Sequence, residues 1–317
     1  MVSTMTRNDC AHWLLEHDHF CILTHARPDG DTIGSASALC VGLRQLGKTA
    51  HILNNTGASP FLKRCLLGLT VDAPAENDTL VSVDVASPHL LPPEHQQYLK
   101  HISLRIDHHA AATGFTPLEL VDAASAACGE IIYELLMDMG AEMTKELAWR
   151  LYIAISTDTG CFRYSNTTAH TYRVAAACAD TGADLYPITQ ELFDTTSISE
   201  LKLQNWIVEH AQFLCGGQAA VCGIPATMEA NVSREDLEGM SGFLRSIEGV
   251  RISATLREIE GGCKVSVRAV PGLNAGAVCT RFGGGGHKGA GGATLALPME
   301  SAMKVVAAAL KNALEGV

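Results

Sequence analysis

The chain has 317 residues, of which 47% are hydrophobic and 18% are charged, a composition typical of a folded protein with a sizeable buried core. Its length favours about two domains. The formal net charge of -11 excludes a protein that coats long nucleic acid through a broad basic face, because such binding depends on neutralising many phosphates. Small anionic ligands remain compatible with this charge if a few cations or metal ions gather in one place.

The cysteines and apolar segments bear on where the protein works. Eleven cysteines lie between Cys10 and Cys279 without a C-x-x-C pair, and an odd number cannot pair completely within one chain. Reduced thiols are the simplest explanation. The amino-terminal pattern has no signal-type apolar core, and no segment reaches about 18 consecutive apolar residues. We therefore expect a cytoplasmic protein that is not secreted and does not span a membrane.

The first informative stretch combines a histidine with two aspartates directly after an apolar run. Phe20–Leu23 is short, apolar and bounded by turn-forming residues, so it suits a buried strand, and residues 33–46 suit a helix. Ligands of open α/β sheets bind at the carboxyl ends of the strands. His25, Asp29 and Asp31 are therefore candidate metal ligands in the loop between strand and helix, although this stretch alone fits a solvated turn equally well.

Two further strand patterns also end on potential ligands. One apolar run leads into Asp84, and another leads into the sequence Asp107-His108-His109. Because adjacent residues on a strand point to opposite faces, we expect only one of the two histidines to bind metal at a given centre. The other would then contact the substrate or another ligand.

A fourth acidic position completes the pattern in the first half of the chain. Residues 145–155 have a helical pattern and lead into Asp158, which is followed by a glycine two residues later. Strand and helix patterns alternate over residues 20–185, which predicts a doubly wound parallel sheet. The four element ends would then meet at one edge of that sheet.

A change in composition predicts the domain organisation. Around residues 186–210 the chain becomes more polar, so we place a first domain at 1–187, a helical linker at 188–212 and a second domain at 213–317. The second domain is predicted to contain a helix over residues 234–245 and a strand hairpin over residues 251–270.

A glycine-rich stretch, residues 283–292, surrounds the pair His287 and Lys288. Glycines such as Gly285 and Gly286 let backbone amides approach an anion closely, while the histidine and lysine add charge. This pattern predicts a phosphate-binding loop. It lacks the G-x-x-x-x-G-K-[ST] spacing of a nucleoside-triphosphate loop, and a flexible linker is the alternative interpretation.

The element ends together supply enough ligands for two metal ions. The candidate ligands are His25, Asp29, Asp31, Asp84, His108 and Asp158. Carboxylates with imidazoles and no thiolate favour Mn²⁺ or Mg²⁺ over structural zinc, and we expect Mn²⁺ first. Two such ions about 3.5–4 Å apart can stabilise both oxygens of an in-line phosphoryl displacement. The set therefore predicts a phosphoester hydrolase with two divalent ions.

At this point the sequence resembles the DHH phosphoesterase superfamily over nearly its whole length. The matching motifs are His25-x-x-x-Asp29-x-Asp31, Asp84, Asp107-His108-His109, the stretch around Asp158, and the loop ending in His287-Lys288. The two-domain plan and the glycine-rich loop look most like the nanoRNase/pAp-phosphatase type with a DHH-associated carboxy-terminal domain. The resemblance implies an α/β fold: a doubly wound parallel-sheet domain, a smaller α/β substrate-binding domain, and an active site in the cleft between them.

The resemblance also implies roles for individual residues. One ion would be held by His25, Asp29 and Asp84, and the other by Asp31, Asp84, His108 and Asp158. Asp84 would bridge the two ions and belong to the catalytic group together with His109, which would face the scissile phosphate, and Asp107, which would orient an imidazole. The substrate would be bound by Arg268, Gly285, Gly286, His287 and Lys288.

The resemblance implies an enzyme that hydrolyses very short RNA to mononucleotides and extends to 3′-phosphoadenosine 5′-phosphate (pAp). The chain lacks the arginine that often follows the bridging aspartate in relatives, which leaves substrate preference open. A cyclic- or linear-dinucleotide phosphodiesterase is the main alternative; a pyrophosphatase or a non-enzymatic nucleotide-binding module are the others. We expect short RNA or small nucleotides as partners and neither long duplex DNA nor membranes. A homodimer and the polarity of cleavage are left open.

Overall fold

The computed structural model describes residues 2–109, 114–229, 232, 237 and 239–316. These residues form two compact units, Met1–Thr195 and Thr196–Val317. The predicted domain limits at residues 187 and 213 stay predictions.

The first unit is built on a parallel sheet. Its strands among the described residues are β1 (Ser3–Thr4), β2 (Phe20–Leu23), β3 (Ala50–Leu53), β4 (Thr70–Val71), β5 (Thr79–Val83), β6 (Ile102–Asp107) and β7 (Leu118–Val121). They lie in the order β1-β7-β6-β5-β2-β3-β4, and every neighbouring pair is parallel. The chain order reverses between β2 and β5, so the predicted doubly wound sheet is confirmed. Such a reversal creates a crevice at the carboxyl ends of the two strands.

Helices cover this sheet. They are α1 (Arg7–Glu16), α2 (Gly30–Gln45), α3 (Pro60–Cys65), α4 (Cys128–Asp138), α5 (Lys145–Asp158), α6 (Ala169–Asp180) and α7 (Tyr186–Thr189), with 3₁₀ turns at Pro88–Leu90 and Pro93–His101 and a π turn at Gln190–Asp194. Helix α2 is central, because all of its residues from Gly30 to Leu43 are buried. Small residues permit this burial: a Cβ added at Gly34 would lie 2.6 Å from the carbonyl oxygen of Arg150 in α5.

The amino-terminal end of α2 differs from the prediction. We expected the helix to begin at residue 33 and Asp31 to lie in the preceding loop. In the structure Asp29 is the N-cap, and its Oδ1 accepts a hydrogen bond from the backbone N–H of Thr32 at 3.0 Å. This cap satisfies an amide that would otherwise lack a partner, so the helix begins at Gly30. Asp31 consequently lies in the first helical turn and is only 1% exposed, which excludes the solvated-turn interpretation.

The second unit has a mixed sheet. Its elements among the described residues are α8 (Ile198–His210), β8 (Gln212–Leu214), β9 (Ala219–Ile224), α9 (Ala226–Glu229), β10 (Ile252–Ile259), β11 (Gly262–Ala269), α10 (Ala275–Thr280), β12 (Gly285–Gly286), β13 (Ala290–Leu295) and α11 (Met299–Glu315). The strand order is β12-β13-β11-β10-β9-β8. Strands β9 and β10 are parallel, and the other neighbours are antiparallel.

Local patterns explain several elements of this unit. The predicted hairpin is present as β10 and β11, where Ile259 pairs with Gly262 across a turn whose Gly261 has a φ of +78°. Helix α11 buries Ala302, Val306, Ala309 and Leu310, which share one helical face. Part of the predicted helix 234–245 lies outside the described residues, and the described part forms 3₁₀ turns at Met240–Gly242 and Leu244–Ser246. Within the described ranges, no helix has the length and apolarity needed to cross a bilayer.

Candidate metal centre

The six predicted ligands converge at the carboxyl edge of the parallel sheet. His25 follows β2, Asp84 follows β5 and His108 follows β6, so the strands deliver these three side chains to the point where the chain order reverses. Asp31 enters from the first turn of α2, and Asp158 is the last residue of α5. Parallel strands place their carboxyl ends side by side, and residues distant in sequence meet there for that reason.

One group of ligand atoms forms around His25. Its Nε2 lies 3.8 Å from Oδ2 of Asp29 and 3.7 Å from Oδ2 of Asp84. The side chain of Asp84 is 2% exposed, whereas that of Asp29 is 58% exposed. This group therefore lies at the mouth of the crevice, with Asp84 at its buried end.

A second group forms around His108. Its Nε2 lies 3.4 Å from Oδ2 of Asp158, 3.7 Å from Oδ2 of Asp31 and 3.7 Å from Oδ1 of Asp84. Asp84 thus faces the first group with Oδ2 and the second group with Oδ1. This orientation is the one that a carboxylate bridging two ions requires.

The donor atoms of both groups fit divalent cations. Nε2 of His108 and Oδ1 of Asp84 are buried and have no hydrogen-bond partner among the described residues, and buried polar atoms rarely stay unsatisfied without a functional reason. Separations of 3.4–3.8 Å are too long for hydrogen bonds. Two ligands that each lie about 2.1 Å from a shared ion are separated by roughly 3–3.5 Å. Imidazole nitrogens with carboxylate oxygens suit Mn²⁺ and Mg²⁺.

The carboxylates repel one another, and a cation would relieve this repulsion. Burial raises the pKa of Asp31 well above its usual range, and the charges of Asp84, Asp158 and Asp29 raise it further. Burial also raises the pKa of Asp158 to about 6, although the neighbouring His108 opposes the shift. Burial by itself lowers the pKa of His25, but the neighbouring carboxylates of Asp29 and Asp84 raise it overall. These directions describe a site that favours bound positive charge.

The backbone of Asp84 adopts an unusual conformation. Its φ is +58°, in the left-handed region that residues other than glycine rarely occupy. Such strain persists only where surrounding contacts hold it, and it is common at functional sites. The hydroxyl of Thr32 donates a hydrogen bond of 2.5 Å to Oδ2 of Asp84, and the Asp84 amide donates to the Ile106 carbonyl at 2.9 Å. These bonds hold the carboxylate toward both ligand groups.

Asp31 is held by three donors. Oδ1 accepts hydrogen bonds from the Ser35 hydroxyl at 2.8 Å and from the Gly129 amide at 3.0 Å, and Oδ2 accepts one from the Cys128 amide at 2.7 Å. The two amides belong to the first turn of α4, where helical N–H groups lack partners within the helix. The start of α4 thus fixes the orientation of a candidate ligand supplied by α2.

The two adjacent histidines do not point to opposite faces, so the premise of strand alternation is wrong here; that only one of them binds metal at a given centre stays a prediction. Strand β6 ends at Asp107, and the chain bends at His108 and His109. Their ring centroids lie 4.3 Å apart, and both rings approach Oδ1 of Asp84, at 3.7 Å from Nε2 of His108 and 3.5 Å from Nδ1 of His109. Strand alternation does not apply beyond the last strand residue, and both histidines therefore face the same centre.

The predicted catalytic residue His109 is partly accessible to solvent. His109 has a 44% exposed side chain, and its Nδ1 lies 3.0 Å from Oδ1 of the buried Asp107. The hydrogen bond to Asp107 and the nearby carboxylate of Asp84 raise the pKa of His109 to about 10. Nε2 of the ring is then the nitrogen left for a substrate.

The second unit contains the predicted substrate residues. Arg268 lies on β11, and its guanidinium donates a hydrogen bond of 2.8 Å to the Ser241 hydroxyl. His287 and Lys288 are exposed after β12, which consists of Gly285 and Gly286.

The glycine-rich loop is held mainly by its own backbone. The His287 amide donates a hydrogen bond of 2.8 Å to the carbonyl oxygen of Ala290. The carbonyl oxygen of His287 accepts from the Gly276 amide, and that of Lys288 accepts from the Ala275 amide. The glycines are needed for close approach, since a Cβ at Gly286 would lie 2.4 Å from the Ala290 oxygen. The His287 amide is therefore already bonded, whereas the side chains of His287 and Lys288 are exposed and available to an anion.

Sequence reasoning missed the residues that support the ligands. Thr32 was read only as part of the loop, Ser35 only as part of the helix that follows it, and Arg105 only as part of a strand. Thr32 is one residue after Asp31, and Arg105 is two residues before Asp107. Residues two apart on a strand share a face, so this spacing was a signal that could have identified Arg105.

Comparison with known families identifies the class of protein. The family model described as "DHH family, N-terminal domain" matches residues 19–155, and the model of the DHHA1 domain matches residues 216–316. The first range contains five of the six predicted ligands, and the second contains Arg268 and the glycine-rich loop. The parallel sheet, the ligand groups and these matches agree, and the chain belongs to the DHH family.

Characterised relatives match almost the whole chain. A protein of Thermus thermophilus named bifunctional oligoribonuclease and PAP phosphatase NrnA is 34% identical over 92% of this chain and 89% of its own length. The protein of the same name from Bacillus subtilis is 28% identical over 88% of this chain and 90% of its own length. Among solved structures, an exopolyphosphatase-related protein of Bacteroides fragilis superposes with a TM-score of 0.83 at 24% identity and covers 96% of both chains, which supports the fold.

Proposed function

We propose that the protein is a two-metal phosphoesterase that hydrolyses short oligoribonucleotides to mononucleotides and dephosphorylates pAp to AMP. The observation that carries this proposal is the pair of buried, unpartnered atoms, Oδ1 of Asp84 and Nε2 of His108, within two groups of carboxylates and imidazoles. The similarity to proteins named oligoribonuclease and PAP phosphatase supports the choice of substrate.

Two divalent ions bound here would supply the Lewis acidity that phosphoester hydrolysis requires. In this proposal one ion is held by His25, Asp29 and Asp84, and the other by Asp31, Asp84, His108 and Asp158. Mn²⁺ suits this mixture of imidazole and carboxylate ligands better than Mg²⁺, which prefers oxygen ligands and retained water. His109, with Nε2 free of the contacts that hold Nδ1, binds the substrate phosphate.

The second unit supplies the remaining substrate contacts. Arg268 is suited to a bidentate contact with a phosphate, and His287 and Lys288 add exposed donors on the glycine-rich loop. None of the three belongs to a ligand group. Replacing Arg268 or His287 by Ala should therefore impair hydrolysis while the metal content of the protein stays unchanged.

A substrate panel tests the activity directly. The purified chain is assayed with Mn²⁺ or Mg²⁺ against RNA dinucleotides, short RNA, pAp, cyclic dinucleotides and pyrophosphate. The proposal expects hydrolysis of the first three substrates, more strongly with Mn²⁺, and loss of activity on chelation. Preference for a cyclic dinucleotide by a large factor would favour the alternative phosphodiesterase, and full activity of metal-free protein would refute the two-metal site.

A pair of variants tests the bridging role of Asp84. Asp84→Asn should remove more activity than Asp29→Asn, because Asp84 faces both ligand groups and Asp29 faces one. Metal content is measured by elemental analysis alongside turnover. An active Asp84→Asn protein that retains two ions would contradict the assignment.

A further inference from the structure

Arg105 is a buried cation close to the candidate metal centre. It lies on β6, between β5 and β7, and its side chain is 1% exposed. A buried charge is strongly destabilising unless it is paired and hydrogen-bonded. The partners of this guanidinium therefore indicate why the sheet tolerates it.

Two carboxylates pair with the guanidinium inside the sheet. Its Nε and Nη2 donate to Oδ2 of Asp107 at 3.1 and 2.6 Å, and its Nη1 lies 3.4 Å from Oε2 of Glu119. Arg105 and Glu119 are direct neighbours across β6 and β7, and Asp107 lies two residues farther along the same strand. The planar guanidinium can hold two carboxylates in fixed directions, which an ammonium group cannot do in the same way.

The same guanidinium contacts the backbone of both loops that carry site residues. Nη2 donates to the carbonyl oxygen of His109 at 3.2 Å and reaches that of Ala86 at 3.5 Å. His109 follows β6, and Ala86 lies two residues after Asp84. Arg105 thus links the segment after β5 with the segment after β6.

Asp107 transmits this arrangement to the imidazole. While Oδ2 of Asp107 accepts from Arg105, Oδ1 accepts from the backbone amide of His109 at 2.9 Å and lies 3.0 Å from its Nδ1. A single carboxylate therefore fixes both the backbone and the ring of His109. The orientation of the Asp107 carboxylate is set in turn by Arg105.

We propose that Arg105 is a positioning residue that acts through Asp107 to hold the His109 imidazole in its productive orientation, with Glu119 fixing the guanidinium. This inference rests on the proposed phosphoesterase function and adds to it a network that reaches from β7 to the substrate side of the site. Arg105 contacts none of the six candidate metal ligands in a hydrogen bond or ion pair among the described residues. Its loss should therefore affect turnover and spare metal binding.

The first test is the variant Arg105→Lys, which keeps the charge and loses the planar fork. With an RNA dinucleotide and Mn²⁺, we expect kcat to fall about 10- to 100-fold, the range typical of residues that orient a site group, with two ions still bound. Arg150→Lys is the matched control, because Arg150 is a buried arginine of the same unit that contacts Glu146 and Cys65. That control should change thermal stability without a comparable loss of kcat.

A double-mutant cycle separates positioning from general destabilisation. Arg105→Lys is combined with His109→Ala, and kcat is measured for both single variants and the double variant. If Arg105 acts through His109, Arg105→Lys has little further effect once the imidazole is gone. Equal fold losses in both backgrounds would overturn the inference. If Arg105→Lys does not fold, Glu119→Gln, a nearly isosteric change, is used in the same cycle.

The outcome also separates this inference from the proposed function. A wild-type protein that binds two ions and hydrolyses none of the panel substrates would refute the proposed function. An active wild-type protein whose kcat is unchanged by Arg105→Lys would refute only the positioning role.

Discussion

The Thr32 hydroxyl, in the first turn of α2, donates a 2.5 Å hydrogen bond to Oδ2 of Asp84, which follows β5. The bond joins segments 52 residues apart and orients a carboxylate whose backbone has a φ of +58°. Both side chains are buried, so water cannot replace the hydroxyl if it is removed. This contact fixes the residue on which both ligand groups depend.

The first prediction concerns this hydroxyl. Thr32→Val keeps the shape of the side chain and removes the donor, and we expect a loss of about 10- to 100-fold in metal affinity or kcat. Thr32→Ser, which keeps the hydroxyl, should retain most activity. Metal titration and steady-state kinetics measure both effects. Equal activity of the Val and Ser variants would show that the hydrogen bond is not needed.

The second prediction concerns pH and the protein stripped of metal by a chelator. The folded-state pKa of Asp158 is raised from 3.8 to about 6, chiefly by burial. Between these values the folded state binds more protons at this carboxyl than the unfolded state does. Its contribution to stability is therefore fully present below about pH 4 and is lost as the pH rises through about 6.

Asp158→Asn provides the comparison, because it removes the titrating group. Denaturant unfolding of the metal-free proteins should show that wild type loses stability relative to the variant between about pH 4 and pH 7. Added Mn²⁺ should stabilise wild type more than the variant, since the carboxylate is a candidate ligand. A stability difference that does not vary with pH would contradict the prediction.

The third prediction concerns the packing of α2 on α5. A Cβ at Gly34 would lie 2.6 Å from the Arg150 carbonyl oxygen and 2.8 Å from the Ala154 nitrogen, and backbone atoms of a helix cannot move aside independently. Gly34→Ala should therefore destabilise the protein by about 1–3 kcal/mol, despite the better helix propensity of alanine. Gly242→Ala is the control, because no atom of the described residues lies within 4 Å of its added Cβ. Equal unfolding midpoints for the two variants would show that the helices can separate at little cost.

The sequence predicts the parallel sheet well for a physical reason. Strand β2 has the predicted bounds, since a strand covered on both faces is an uninterrupted apolar run. Strands β1 and β4 have two residues each and carry no recognisable pattern. The ligand set could be proposed because acidic residues at the ends of parallel strands must meet at one edge.

Orientation and support within the site could not be predicted in the same way. The His108 and His109 rings face one centre because β6 ends at Asp107, before either histidine, so strand alternation does not apply to them. Because Asp29 caps the helix, α2 begins at Gly30, three residues before the predicted start. Such details depend on individual hydrogen bonds, which hydrophobic patterns do not encode.

The last prediction concerns substrate length. The chain has a net charge of -11, and the cations assigned to substrate in the proposed function are few: Arg268, His287 and Lys288. A long strand gains affinity by contacting many cations along its backbone, whereas so few cations can contact only one or two phosphates. We therefore expect kcat/KM to be highest for RNAs of roughly two to five nucleotides, with affinity that falls only shallowly as salt is raised.

A ladder of 5′-labelled RNAs from dimers to about twenty nucleotides measures this dependence. Lys288→Ala should weaken binding of all lengths similarly, because one exposed cation contacts one phosphate whatever the length of the chain. The salt slope should correspond to about one or two phosphate contacts and should not increase with length. A kcat/KM that rises steadily toward the longest RNA, together with a steep salt slope, would instead indicate an extended binding track and a nuclease that acts on long strands.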